Sequence, residues 1–535
     1  MGSHIQLISS LTSLPFKEWL TNLFVVILLY IAKYYYTYFT RRNPLPGPFP
    51  FPLIGNIHLF HGELDNVFFK LQAKYGEMFE VFIGSERKIW LGNAKLIKKI
   101  NDPSPKSNFP IRAKGSWIND MRVTDKGIGL NTNLNSWRNN RMMVTKSIMV
   151  PSFLRQFVQE VEKFFDELDE YWLVSGNELD FSKWIYKFEN DLIIHTFTRK
   201  KTCAMAIYHN YISSHNHTTS HLENELRQSE ELVNRIHLWQ NSIHFFFFIP
   251  KLIRSYVPPF NFYQLKYLKN IEWLDKHLTN IVKERRKEIE NTPKNETLSS
   301  DILTLFICAN TERSIRINKE DDDSRPMADN EIMQLMLESI TGSVNTAGST
   351  LCFTIYLLCL NPVAKNKVYE EIDRIFCDDK TRPITYDDII KMTYTEACIK
   401  ESLRMIPIAP FLYKSSIKED TIGGLNWKGG QEFFINCNYI HHNETHWSDP
   451  KSFIPDRFLD DKKIEENSHM PFGGGVRVCP GRHLGMANIK ALMALIFRKY
   501  DIELVESEEP FKKLFNFDNR CEKLMISLHL RKSTV

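Results

Sequence analysis

The longest hydrophobic stretch in the body of the chain predicts a buried helix. Apolar residues dominate from Ile332 to about Leu360, after an acidic segment in which Asp329 is placed as an N-cap. Asn361 and Pro362 then fit the cap and the first position of a following helix. Roughly 30 residues at about 1.5 Å each span some 45 Å, which is enough to cross a whole domain.

A second hydrophobic stretch lies near the N-terminus. Residues 23–32 are wholly apolar, and the wider segment from Trp19 to Phe39 is 21 residues long, about the length that spans a bilayer. Lys33 interrupts it, but a lysine there can extend towards the headgroups, and the tyrosines that follow suit the interface. Because no small-residue cleavage site follows the apolar run, an uncleaved anchor is favoured over a cleaved signal peptide.

The charges that flank this span predict its orientation. Lys33, Arg41 and Arg42 follow the apolar core, whereas only Lys17 precedes it, so the body is expected on the cytosolic side. A stiff proline-rich connector over residues 44–48 comes next. With no internal repeat and no linker beyond it, the sequence predicts an anchor over residues 1–43 and one large domain over residues 44–535.

Other segments give shorter elements. The amphipathic run from Thr395 to Met405 ends before Pro407, as a helix should, and Ser300 to Cys308 predicts a short helix. The charge-rich residues 286–300 and 309–328 are typical of surface loops. The aromatic block over residues 244–250 suits either a membrane surface or the core.

Composition narrows the class of protein. Hydrophobic residues make up 43% of the chain and include 37 Phe, which is ample for a core and an apolar cavity. A net charge of +4 is too small to indicate a nucleic-acid partner, and no nucleic-acid-binding signature is found. Nine cysteines without a CxxC pair favour a reducing compartment over a disulfide framework.

One short segment carries the chemistry. Residues 472–481, FGGGVRVCPG, fit the pattern FxxGxRxCxG and make Cys479 the candidate axial ligand of a haem iron, bound as a thiolate. Gly481 and the glycines before Cys479 allow the backbone to turn tightly beside a porphyrin. Arg477 offers a fork of donors to a haem propionate, and Phe472 can shield the sulfur from water.

Further motifs give the chain a family resemblance. The Glu401/Arg404 pair fits ExxR, residues 453–458 fit FxPxRF, and Trp137 with Arg141 fits WxxxR. With the cysteine segment, these motifs resemble the cytochrome P-450 family of eukaryotic microsomal haem-thiolate monooxygenases. The resemblance implies a mainly α fold with small β-sheets, an N-terminal transmembrane helix and haem b as the cofactor. It also implies that Trp137 and Arg141 reach the haem propionates, and that Arg457 joins Glu401 and Arg404 in a buried triad.

The long helix departs from the family pattern. Residues 342–346, GSVNT, align with the family's (A/G)Gx(D/E)T element, so that Thr346 is kept while Ser343 and Asn345 replace a glycine and an acid. Asn345 cannot titrate near neutral pH. Thr346, Ser343 and an ordered water are therefore the candidate proton relay, with a catalytic role for Asn345 left open. The alternative for the hydroxyls is hydrogen bonding back to helix carbonyls.

A second departure follows Pro407. Residues 407–414 match the family's PxxPxxxR stretch except that Lys414 replaces the arginine, keeping the charge without the planar fork. The sequence predicts a propionate contact from Lys414. Ile408, Ala409 and Phe411 are candidates for substrate contact or for core packing.

The expected activity is insertion of one oxygen atom from O₂ into a lipophilic small molecule. The resemblance implies electrons from NADPH–cytochrome P-450 reductase, with cytochrome b5 as an optional second donor, and a single-pass location in the endoplasmic reticulum membrane. Basic residues near the cysteine would steer an acidic flavoprotein: Arg138, Arg141, Lys146, Arg482, His483 and Lys490. The alternatives are a haem-thiolate isomerase or dehydratase, which needs no proton relay to dioxygen, and a non-enzymatic haem-binding sensor or carrier.

Overall fold

The computed structural model describes residues 16–112, 115–213, 220–309, 311, 313, 325–377, 379–460, 464–506, 509–516 and 518–531. The first half of this part contains the helices α1 Phe16–Phe39, α2 Leu64–Tyr75, α3 Ala94–Ile97, α4 Ser116–Asp120, α5 Leu134–Ile148, α6 Pro151–Ser175, α7 Phe181–Thr198, α8 Ala204–Ser213, α9 Ser220–Phe248 and α10 Lys251–Tyr256. The second half contains α11 Phe260–Asn291, α12 Ile302–Cys308, α13 Asp329–Leu360, α14 Pro362–Ile375, α15 Tyr386–Lys391, α16 Thr393–Met405, α17 Cys437–His441 and α18 Arg482–Lys499. Short 3₁₀ turns cover Ile57–Leu59, Pro455–Phe458 and Gly475–Arg477.

Strands form three small sheets beside these helices. They are β1 Met78–Ile83, β2 Glu86–Leu91, β3 Glu178–Asp180, β4 Leu412–Ser415, β5 Asp420–Ile422, β6 Leu425–Trp427, β7 Glu432–Ile435, β8 Tyr500–Leu504, β9 Phe511–Asn516 and β10 Asp518–Leu530. One sheet has the order β1-β2-β7-β4, in which only the β2/β7 pair is parallel, and Trp90 faces Phe434 across that pair. The second joins β3, β10 and β8, with β9 on β10, and the third is the β5/β6 hairpin. The expected mainly α fold with small sheets is confirmed.

Helix α13 is the core element that the hydrophobic pattern predicted. Most of its residues are buried, and it packs against α7, α11, α16, α18 and β10. Its start differs from the prediction, because Ala328 is the N-cap and Asp329 is the first helical residue, held by Arg286 at 2.6 Å. At the other end Pro362 begins α14 as predicted, while the Asn361 amide donates to Leu357 O at 2.7 Å and so caps α13.

One segment differs from the surface loops that composition predicted. Helix α11 continues to Asn291, so residues 286–291 are helical rather than loop, and Arg286 in this stretch pairs with Asp329. The acidic run at residues 320–323 lies outside the described residues.

The aromatic block over residues 244–250 lies in the core, where Phe246 and Phe247 are buried. Exposed apolar side chains follow it on α10 and α11: Leu252, Tyr256, Phe262 and Leu265.

A buried charge triad fixes the region behind the cysteine segment. Arg404 donates to both carboxylate oxygens of Glu401, at 2.7 and 2.9 Å, and Arg457 donates to the same carboxylate at 3.2 Å. Glu401 and Arg404 are fully buried. The remaining Arg404 donors go to the carbonyls of His441, Pro450 and Ser452. The triad is thus formed as the resemblance implied. Because breaking such a buried pair costs about 3–5 kcal/mol, it fixes three segments relative to one another.

The N-terminal helix is docked onto the body. Two described helices, α1 and α13, are long and apolar enough to cross a membrane, and α13 is the buried one. The C-terminal half of α1 packs on the body, where the Tyr34 hydroxyl donates to Gly84 O at 3.2 Å and Tyr35 stacks on Phe49 at 5.4 Å. Arg41 then pairs with Glu80, which is 2% exposed and also holds Arg87. Tyr34 is therefore buried against protein, although the pattern predicted an interfacial position.

A buried carboxyl group lies between α7 and α18. The Asn488 amide nitrogen donates to both oxygens of Glu189, at 2.7 and 2.9 Å, while the Asn488 Oδ1 atom is buried and has no partner in the part of the chain that the structure describes. Burial raises the pKa of Glu189 to about 8. A protonated Glu189 has an O–H of its own to donate and needs no counter-charge in this buried position.

We expect Glu189→Gln to flatten the pH dependence of stability. The native pKa of Glu189, about 8, exceeds its unfolded value of 4.5, so its contribution is fully present below pH 4.5 and is lost as the pH rises through 8. Between these two pKa values, the free energy of unfolding should fall by about 1 kcal/mol per pH unit. Thermal midpoints from pH 5 to 9 should therefore converge at low pH and favour the variant at high pH. The exposed Glu419→Gln is the control, and parallel profiles for Glu189→Gln and wild type would contradict this assignment.

Candidate active site

Backbone contacts shape the loop that carries Cys479. The Cys479 amide donates to Phe472 O at 2.9 Å and closes the loop, and Phe472 itself is partly buried. Gly475 has a φ of +64°, and a Cβ there would lie 3.0 Å from the Asn101 backbone. A Cβ on Gly474 would lie 2.7 Å from the Asn101 side chain. These two glycines are required because the loop presses on Asn101.

Two groups beside Cys479 partly offset the effect of its burial, which disfavours a free thiolate. Burial raises the pKa of the Cys479 thiol, whereas a hydrogen bond from the Gly481 amide and the positive charge of Arg112 oppose that rise. Gly481 is also the N-cap of α18, so the positive end of the helix dipole lies beside the sulfur. A metal-bound cysteine must be deprotonated. Cys479 and Gly481 thus have the chemistry that an axial ligand needs.

A group of cations lies beside this loop: Arg112, Arg141, Lys414 and Arg477. Burial and the charge of Arg112 lower the pKa of Lys414 to about 7 and that of Arg477 to about 8. The same two causes lower the pKa of Arg141. Cations that face one another in this way are stabilised by an anion among them. The two propionates of haem b would supply that negative charge.

Helix α5 contributes the aromatic part of the site. Asn133 caps the helix by accepting from the amides of Asn135 and Ser136, which sets the register that places Trp137 and Arg141 one turn apart. The Arg477 guanidinium lies 4.0 Å from the centre of the Trp137 ring. Trp137 Nε1 is buried and has no hydrogen-bond partner among the described residues. An unpaired buried donor beside a cation fits a propionate oxygen.

Arg477, for which the sequence predicts a propionate contact, also binds the backbone around the site. Its Nε donates to Pro110 O, and its two terminal nitrogens donate to Ile128 O at 3.0 Å and Asn131 O at 2.9 Å. Three of its donors are thus used on backbone carbonyls, because these segments pack over the guanidinium. Arg477 fixes the walls of the site and supplies charge, while Trp137 keeps its donor for a propionate.

Lys414, for which the sequence predicts a propionate contact, is bound to the protein in this structure. Its ammonium donates to Ile100 O at 3.1 Å, to Asn101 Oδ1 at 2.8 Å and to Gly474 O at 2.8 Å. These bonds use all three donors of a lysine. The shorter, single-headed side chain therefore ties the cysteine loop to Asn101.

Arg112 is the residue that sequence reasoning missed. Ser415 donates to Ile111 O at 2.7 Å, which extends the β4 edge and brings Arg112 beside Lys414. Arg112 donates to Arg477 O at 2.8 Å. No motif marks it, because its position depends on a pairing between residues 304 positions apart.

One face of α13 borders open space. A Cβ on Gly342 would meet no atom within 4 Å, and Ser343 and Thr346 are partly exposed in an otherwise buried helix. The Ser343 hydroxyl donates to Ser339 O at 2.8 Å, and the Thr346 hydroxyl donates to Gly342 O at 2.5 Å. Both hydroxyls bond back to the helix, and their lone pairs can still accept from a water on the open side.

Asn345 lies on a different face. Its amide donates to Gln240 Oε1 at 2.8 Å, and Gln240 donates to Thr341 O at 2.9 Å. Asn345 is 3% exposed. The structure thus uses Asn345 to join α13 to α9, and no hydrogen bond links it to the hydroxyls of Ser343 or Thr346 among the described residues.

Comparisons with known proteins agree with this geometry. A family model described as Cytochrome P450 matches residues 45–519. The chain is similar to Cytochrome P450 4d1 of Drosophila melanogaster, with 25% identity over 510 residues that cover 91% of this chain and 93% of that protein. It is 25% identical to steroid 17-alpha-hydroxylase/17,20 lyase of Homo sapiens, covering 90% and 92%. It is 26% identical to (+)-vincadifformine 19-hydroxylase of Catharanthus roseus, covering 91% and 92%.

We expect Cys479→Ala to abolish the red-shifted carbon monoxide spectrum of a thiolate-ligated haem, because no other sulfur would replace the lost ligand. Cys308→Ala is the matched control, since Cys308 is a buried free thiol on α12. Difference spectra of the reduced proteins make the comparison. An unchanged spectrum in Cys479→Ala would remove this residue from the site.

Proposed function

Because this chain belongs to the cytochrome P-450 family, we propose that it oxidises a lipophilic small molecule at a haem b bound by Cys479, from a membrane-anchored domain. As a family member it is a haem-thiolate monooxygenase that needs a redox partner and a lipophilic substrate. The single observation that carries the proposed site is the group of buried cations beside Cys479, with the unpaired Trp137 donor among them.

Each residue of the site then has a role. Cys479 binds the iron, and the Gly481 amide stabilises its sulfur. Trp137, Arg141 and Arg112 bind the propionates, while Lys414 and Arg477 hold the surrounding backbone. When bound, the haem supplies dioxygen activation and oxygen transfer to the substrate, and its thiolate ligand favours O–O cleavage.

Proton delivery is assigned to the open face of α13. On this face, the Thr346 hydroxyl oxygen accepts a hydrogen bond from a water that supplies the proton. Ser343, about one turn earlier, holds the same water in place. Asn345 keeps α9 and α13 together and moves no proton, since its amide is committed to Gln240. The carboxylate that the family pattern has at this position is thus replaced by a packing contact.

A continuous group of aromatic rings supports a lipophilic substrate. Trp117 contacts Phe247 edge to face at 5.5 Å, and Phe411 lies 5.6 Å from Phe515. The group joins segments far apart in the chain, namely Trp90, Trp117, Phe247, Phe411, Phe434 and Phe515. Rings of this group that border the haem pocket would give a bound substrate large apolar contact area and few polar contacts.

Electrons are assigned to NADPH–cytochrome P-450 reductase, with cytochrome b5 as an optional second donor. Arg138, Arg482 and His483 are exposed beside the cysteine loop and suit an acidic partner. Lys490, which the sequence grouped with them, is buried and pairs with Glu396 at 2.9 Å. Lys490 is therefore not part of the surface that we propose for the redox partner.

We propose a single-pass location in the endoplasmic reticulum membrane, with residues 1–43 as the anchor and the domain over residues 44–535 in the cytosol. The exposed apolar surface of α1 supports this location. Phe49, Phe51 and Leu53 are also exposed where α1 meets the body, and the Leu53 amide donates to Tyr30 at 3.2 Å. A Cβ on Gly84 would lie 3.5 Å from Pro250, which places the exposed residues of α10 next to this junction.

We expect Thr346→Ala to raise hydrogen peroxide released per NADPH consumed severalfold, towards its limit of one, because losing a proton-transfer group slows that step by about 10²–10⁴-fold. Haem and substrate binding should stay intact. Asn345→Asp should leave this ratio near wild type or lower it, while weakening the contact with Gln240. Turnover without reductant would instead indicate an isomerase or dehydratase. Haem binding without turnover would indicate a sensor, and an unchanged ratio in Thr346→Ala would remove this residue from the relay.

Two truncations test how the anchor joins the body. Deleting residues 1–43 should lower the thermal midpoint by roughly 2–5 °C, because Glu80 loses Arg41 and Phe49 loses its tyrosine partners. Deleting residues 1–29 keeps these contacts and should preserve the midpoint. Both proteins should retain the carbon monoxide spectrum in detergent. Equal midpoints for the two truncations would show that α1 is only a tether.

A further inference from the structure

Glu338 lies on α13, two turns before Thr346, and no role in oxygen chemistry is assigned to it above. Its Oε2 atom accepts hydrogen bonds from the amides of Ile128 and Gly129, at 2.7 and 2.9 Å. Its Oε1 atom accepts from Gln334 at 3.3 Å. The carboxylate therefore binds the backbone of the loop that precedes α5.

This loop is wrapped closely around the carboxylate. Gly127 has a φ of +69°, and a Cβ there would lie 2.4 Å from Glu338 Oε2. A Cβ on Gly129 would lie 3.2 Å from the same carboxyl group. The positive φ and the close approach at Gly127 require glycine, whereas a Cβ on Gly129 would force the carboxyl group or the loop to shift by a few tenths of an ångström.

The opposite side of the same loop is bound by Arg477. Ile128 O accepts from Arg477 at 3.0 Å, and Gly129 N donates to Glu338 at 2.9 Å. These two atoms belong to one peptide group, so a guanidinium and a carboxylate bind its two ends. Each charge polarises the peptide group in the direction that strengthens the other bond.

We propose that Glu338 is a positioning residue for the haem pocket, acting through this shared peptide group on Arg477. Arg477 stacks on Trp137 and precedes Cys479 by two residues, so the position of the loop sets both the propionate-binding ring and the cysteine segment. The inference rests on the proposed function in one respect, namely that a haem occupies this pocket.

Haem release from the full-length protein in detergent tests the proposal. Glu338→Ala leaves two buried amides without an acceptor, so we expect transfer of haem to excess apomyoglobin to become about tenfold faster. Glu338→Gln keeps an oxygen that both amides can reach, and its rate should stay within about threefold of wild type. Leu358→Ala is the control, because Leu358 is buried at the far end of the same helix. It should lower the thermal midpoint without accelerating release.

The outcomes separate this inference from the proposed function. If wild-type protein gives no thiolate carbon monoxide spectrum, the proposed function fails whatever the variants do. If wild type gives that spectrum but Glu338→Ala releases haem at the wild-type rate, the positioning role alone is overturned. Faster release in Leu358→Ala, to the same extent as in Glu338→Ala, would also overturn it. Should Glu338→Ala not fold, Gly129→Ala carries the test, since it displaces the loop from an intact carboxylate and should accelerate release as well.

Discussion

The mutual repulsion of buried cations is the constraint on which the arrangement around Cys479 depends. Arg112, Lys414 and Arg477 come from three separate segments, and burial without an equal number of anions lowers the pKa values of Lys414 and Arg477. Backbone carbonyls accept the donors of Lys414 and Arg477, and the propionates of a bound haem would add the negative charge that the group lacks. The triad of Glu401, Arg404 and Arg457 fixes the scaffold behind it.

The features that could be predicted from sequence are those encoded within a few residues. The cysteine motif, the ExxR helix and the span of α13 each follow from spacing and periodicity, and the structure has α13 and α16 within a few residues of their predicted bounds. The predicted N-cap of α13 was wrong by one residue. Asp329 pairs with Arg286 on α11, and local sequence does not encode this contact.

The contacts of three site residues could not be predicted, because they depend on segments that are distant in the chain. Lys414 has the charge of a propionate ligand, but the proximity of Asn101 and Gly474 uses its three donors. Arg112 reaches the site through a bridge between residues distant in the chain. Asn345 stands where the family has an acid, and only the structure shows that Gln240 on α9 is its partner. In each case residue type predicts the charge or polarity, while the fold decides what that group contacts.

The docked anchor has a consequence for how electron donors meet this protein. Tyr34, Tyr35 and Arg41 bind the body directly. The tilt of α1 in a bilayer would therefore also set the orientation of the protein surface around Cys479. In the membrane location that we propose, a redox partner in the same bilayer would meet that surface over a narrow range of angles. Orientation is the step that ordinarily slows protein association in solution. A helix fixed to its domain would therefore orient the two proteins for association as well as raise their local concentration.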